Sequence, residues 1–171
     1  MRTLPLALCA ILGCLALPAA ASAQAKPLRC LVDQFNETQL KSIGDGIMSG
    51  SDAAQAQIEG ATASCATKYK PAQLNAAVQY ANDTAVYEAS KAQLKSLGAP
   101  TDLIDSVWSK VDPAQRETVA AALKAGDPPA ALMADLQGRL PKGSDTLSLS
   151  MAALSGVSAK ASMTMAEKTG G

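Results

Sequence analysis

The sequence predicts an all-α protein: a single irregular bundle of five to seven helices, tied by one disulfide and ending in a frayed tail. Three observations carry that expectation. Alanine fills 28 of the positions after Ala23, and alanine favours helix and lets helices approach closely. The aromatics are few (Phe35, Tyr69, Tyr80, Tyr87 and Trp108), and no segment sustains the period-two alternation of a half-buried strand. Caps, prolines and glycines cut the chain into helix-length pieces.

The first piece is an address. Met1-Arg2-Thr3 leads into an apolar run from Leu4 to Leu17, and Ala21-Ser22-Ala23 offers the small residues a signal peptidase needs. That run is shorter than the roughly 20 residues of a bilayer span. Residues 1–23 therefore read as a signal peptide cleaved after Ala23, 24–145 as a helical domain, and 146–171 as a C-terminal helix or tail. Ile11-Leu12-Gly13-Cys14 resembles a lipid-attachment site, but Leu12 suits it poorly and a better cleavage site follows. The short, alanine-rich signal points to a bacterial protein, periplasmic or secreted, that does not span the membrane after cleavage. Cys9 and Cys14 leave with the signal. Cys30 and Cys65 remain, and in an oxidising compartment the default expectation is a disulfide between them. From a eukaryotic source, Asn36-Glu37-Thr38 and Asn82-Asp83-Thr84 would match glycosylation sequons.

Asn36 and Gln39 form a capping-box pattern, and Leu40, Ile43 and Ile47 follow at helical spacing before Gly50. Ser51 or Asp52 opens a second helix carrying Ala54, Ile58, Ala61, Cys65 and Tyr69. Pro71 begins the longest pattern, through Leu74, Val78, Ala81, Ala85 and Ala89 to Leu97, stopped by Gly98 and Pro100. A short helix holds Leu103, Val107 and Trp108. Asp112-Pro113-Ala114-Gln115 is the strongest start signal, and Asp127-Pro128-Pro129 precedes a helix with Leu132 and Leu136. In the tail, Leu147, Met151, Leu154 and Met165 form the expected buried face, with fraying from about Ser162.

Histidine is absent, which removes Ser–His–Asp and Cys–His nucleophiles, histidine metal sites and histidine-ligated haem. Basic and acidic residues number 15 each, against the basic excess of a nucleic-acid binder. The cluster Gly44-Asp45-Gly46-Ile47-Met48-Ser49-Gly50 misses a phosphate-binding pattern at Ser49 and reads as a loosened helix end. Asp102 and Asp105 stand where carboxylates complement a helix start. Met163 and Met165, with Met151, offer thioethers that suit Cu(I), but too few for a site. No cofactor or metal is expected. Tyr80 and Tyr87 lie seven residues apart on one helical face with Lys91 beyond them, a candidate interaction surface that equally suits tyrosines packed with hydroxyls at the rim. The expected role is a non-catalytic binding or envelope accessory protein with a protein or small-molecule partner. The alternative is a small hydrolase, lyase or mutase using Asp/Glu and Lys/Arg.

Overall fold

The fold comes from a computed structural model that describes residues 25–143 and 146–169. The expected signal peptide and the boundary at residue 145 lie outside the described residues. All regular structure among the described residues is helical. The elements are α1 (Ala25–Val32), α2 (Glu37–Met48), α3 (Asp52–Gly60), α4 (Thr62–Cys65), a 3-10 turn (Ala66–Lys68), α5 (Pro71–Ser96), α6 (Leu103–Ser109), α7 (Arg116–Lys124), α8 (Ala130–Arg139) and α9 (Thr146–Thr169).

Eight of these helices have seven residues or more, so the expected five to seven falls short. The extra elements arise at the N-terminal side. α1 forms because Leu28, Leu31 and Val32 share a buried side, with Pro27 in its first turn, where a missing N–H costs little. The expected second helix breaks at Gly60–Ala61 into α3, α4 and the 3-10 turn. Cys30, inside α1, is bonded to Cys65 at the end of α4, which fixes the break against α1.

Elsewhere the punctuation works as its chemistry demands. The Asn36 side chain accepts from Gln39 N at 2.9 Å, while Gln39 Oε1 accepts from Asn36 N at 2.9 Å. Asp112 Oδ1 accepts from Ala114 N at 2.9 Å, but this closes a turn, and regular helix starts only at Arg116.

α5 is the spine. One stripe of it, Ala77, Ala81, Ala85 and Ala89, is fully buried, so neighbours pack near its backbone. α2 crosses there through Gly44, where an added Cβ would stand 2.0 Å from the Ala85 carbonyl oxygen. The glycine cluster is thus a point of helix contact as well as a helix end. α9 packs along α5 and buries Leu149, Ala152, Ala153, Gly156, Val157, Ala159 and Ala161.

That face corrects the expectation for the tail. Leu147 and Met151 are 74% and 63% exposed, and the helix runs past Ser162 to Thr169. Small residues bury little area each but permit close approach over many turns, and two side-chain bonds hold the last part: Trp108 Nε1 donates to Thr164 Oγ1 at 3.0 Å, and the Tyr80 hydroxyl to Glu167 at 2.6 Å. Buried apolar residues form two clusters, one of α1–α4 on the first half of α5, the other of α6–α9 on its second half. No helix among the described residues is long and apolar enough to cross a membrane.

Candidate functional site

Tyr80 and Tyr87 are 3% and 8% exposed, so their rings belong to the packed interior. Their hydroxyls part company: Tyr80 reaches Glu167 on α9, and Tyr87 donates to Asp105 Oδ2 on α6 at 2.5 Å. Burial pushes both phenols well above their ordinary range, and the bonded carboxylates add to it. Lys91 is the member of the trio within reach of solvent. Its ammonium lies 5.0 Å from the Tyr87 ring centre and 3.2 Å from Glu88. Lys160 approaches the same ring at 5.2 Å and pairs with Asp105 at 2.9 Å. Burial disfavours the Asp105 carboxylate, but the bonds from Tyr87 and Lys160 outweigh it and hold its pKa below the usual value. This cluster pins α5, α6 and α9 together with its charges matched.

Lys91 also lines a cleft of about 460 Å³ with Lys41, Lys95, Glu37 and Glu88 at the crossing of α2 and α5. A second cleft, of about 370 Å³, lies among α6, α7 and α8, with Val107, Val119 and Leu132 for walls. Its rim is closed by Asp135, which pairs with Arg139 at 3.1 Å and Lys110 at 3.4 Å.

A third cleft, between α5, α7 and α9, has a different character. Its volume is about 560 Å³, and a smaller hollow of about 320 Å³ adjoins it, sharing Asp83, Leu123 and Ser158. Helical spacing builds it from three sides. α5 contributes Ala76, Gln79 and Asp83, α7 contributes Glu117, Ala121 and Lys124, and α9 contributes Ser158, Ser162 and Met165. Asp83 is the pivot. Gln79 Nε2 donates to its Oδ1 at 3.1 Å, and among the described residues it has no ion pair within contact distance. Burial raises its pKa, only partly countered by the Gln79 bond and the charge of Lys124, and the carboxyl is pushed up to about 6. A carboxyl that takes up its proton around pH 6, in a cleft with hydroxyls, a second carboxylate and one lysine, can bind a cation, donate a hydrogen bond when protonated, or transfer a proton.

Sequence reasoning missed Asp83, which it met only inside a sequon. The available signal was its place on α5: an acid among alanines and valines, one turn beyond Gln79. Within that sequon Asn82 Oδ1 is buried without a partner among the described residues, and the Thr84 hydroxyl donates to Tyr80 O at 2.7 Å. Met163 packs against both apolar clusters and Met165 against one, while Met151 faces outward, so the three thioethers do not share a face. Among the described residues no group of three or more His, Cys, Asp or Glu side chains is placed to hold a metal ion.

The chain matches no known protein family, no curated protein and no solved structure.

Proposed function

We propose that this is an exported bacterial protein, periplasmic or secreted, that acts as a non-catalytic binding or envelope accessory protein, its helices forming one irregular bundle around α5 and α9. The ligand site in this reading is the α5–α7–α9 cleft. Asp83 carries the argument. Keeping a carboxylate in a partly buried position without an ion pair costs folding free energy, and groups held at such a cost concentrate where a molecule is bound. The cleft's volume, about 560 Å³, lies in the range that takes a small organic ligand. The Cys30–Cys65 disulfide supports the oxidising address.

Two measurements test this. N-terminal sequencing of protein from the periplasmic fraction should find Gln24 first. Amide chemical shifts of the exported protein, recorded with a panel of neutral, anionic and cationic small molecules, should move together along the cleft-facing sides of α5, α7 and α9. Silence at those amides across the whole panel would refute the ligand site.

One observation favours a second reading, a small enzyme of hydrolase, lyase or mutase type. A carboxyl with its pKa near 6 is matched to proton transfer at neutral pH, and Ser158 and Ser162 line the same space. Under that reading Asp83→Asn keeps ligand binding and loses turnover.

A further inference from the structure

We infer that the α5–α7–α9 cleft takes a small primary amine, its ammonium group on the Asp83 carboxylate and its apolar chain along Ala120, Leu123 and Met165. This rests on the reading of that cleft as a ligand site, and adds the chemical class.

Charge comes first. The charged side chains lining the larger hollow are Asp83, Glu117 and Lys124, so with all three ionised the space carries one net negative charge. α9 faces Asp83 with uncharged side chains, Ser158 and Ser162 among them, and α5 itself adds Gln79. Geometry comes second. Gln79 occupies Asp83 Oδ1, and Oδ2 has no hydrogen-bond partner among the described residues. An ammonium group has three donors and no acceptor, which suits one free carboxylate oxygen with serine hydroxyls nearby as further acceptors. Two carboxylates, Asp83 and Glu117, that share their space with a lysine and form no cluster of three acidic ligands among the described residues are a poor cage for a bare divalent ion, which wants six or more oxygens in fixed geometry. The apolar remainder of the wall, alanines with Leu123 and Met165, asks for a hydrocarbon behind the charge.

Lys124 enters as a built-in competitor. It is exposed, on α7, and its charge already favours the ionised form of Asp83. An incoming ammonium takes over that role, so removing Lys124 should tighten amine binding, whereas removing Asp83 should abolish it.

The test uses three probes with one chain and three heads: hexylammonium, 1-hexanol and hexanoate, each titrated into the exported protein at pH 7.5 and followed by amide chemical shifts. Hexylammonium is expected to bind tightest, weakened about tenfold or more by Asp83→Asn and strengthened about threefold by Lys124→Gln. Asp83→Asn removes an unfavourable buried charge and should fold, so its loss of binding is interpretable. The affinity for hexylammonium should also fall about tenfold from pH 7.5 to pH 5, as Asp83 gains its proton, while that for hexanol stays level. Hexanol or hexanoate binding as well as or better than the amine would overturn the assignment of class and leave the ligand site standing. Silence for all three would overturn both, whereas equal amine affinity in wild type and Asp83→Asn would overturn the amine's place on Asp83 and leave the ligand site standing.

Discussion

Gly44→Ala should destabilise the protein although alanine is the better helix former. On α2 the new Cβ would stand 2.0 Å from Ala85 O, 2.5 Å from Ala85 C and 2.8 Å from Ala89 Cβ. The first two are backbone atoms of α5 and cannot rotate away. Ordinary contact requires α2 to withdraw by roughly 1.5 Å, and a gap of that size forfeits much of the dispersion contact of Leu40 and Ile43, now 7% and 1% exposed. Overpacking costs about 1–3 kcal/mol, more where backbone must move, and the propensity gain returns about 1 kcal/mol. The net loss should be about 2 kcal/mol, or about 1 M in urea midpoint at an ordinary slope. Gly138→Ala is the matched control. It sits within α8 with nothing inside 4 Å of the added Cβ, and should stabilise by about 1 kcal/mol. Urea unfolding followed by Trp108 fluorescence, at unchanged slope, reads both. A Gly44→Ala midpoint equal to or above wild type would refute the close α2–α5 crossing.

Asp83→Asn should stabilise the protein at pH 8, by about 2 kcal/mol, with the difference shrinking as pH falls. Because the folded pKa of Asp83 is raised, to about 6 against 3.8, its favourable contribution is full below 3.8 and lost as pH rises through 6. Urea midpoints of the two proteins that run parallel from pH 4 to pH 8 would show that burial does not perturb this carboxyl. Intact-mass measurement of residues 24–171 under alkylating conditions should find no free thiol. Reduction of the bond, which closes a separation of 35 residues, should lower stability by about 4 kcal/mol on the chain-entropy account, and an unchanged unfolding midpoint would count against it. Amides of Met163 to Ala166 should exchange as slowly as those around Val157, and exchange within seconds would mean that α9 ends well before Thr169.

Where backbone chemistry speaks locally, the chain was legible. Pro71 and Gly98 bracket α5 because proline suits a first turn and Gly98 adopts φ +80° just past the end. The Asn36–Gln39 box was equally readable. The buried side of α9 was not, because hydrophobicity directs attention to Leu147 and Met151, whereas that side is made largely of alanine and Gly156. A Cβ on Gly156 would meet Ile104 Cδ1 at 2.3 Å, a constraint set by α6 that no local pattern encodes. The same holds for the site. Asp83 becomes a candidate only when α7 and α9 withdraw water from it, and two tyrosines on one helical face find separate carboxylates only once α6 and α9 are in place.

The division of the interior into two clusters bears on how the molecule comes apart. α5 belongs to both, through Tyr80 and Ala81 on one side and Tyr87 and Leu94 on the other, while α9 lies mostly with the second and touches the first through Met163 and Ala166. Opening of α1–α4 therefore leaves a docked α5–α9 pair behind, a partly unfolded form with its own free energy. The disulfide closes its loop wholly inside the segment that opens, so the crosslink limits how far that segment wanders and leaves the second cluster untouched. Loss of the crosslink is therefore expected to weaken the α1–α4 region in particular, so that it opens before the second cluster.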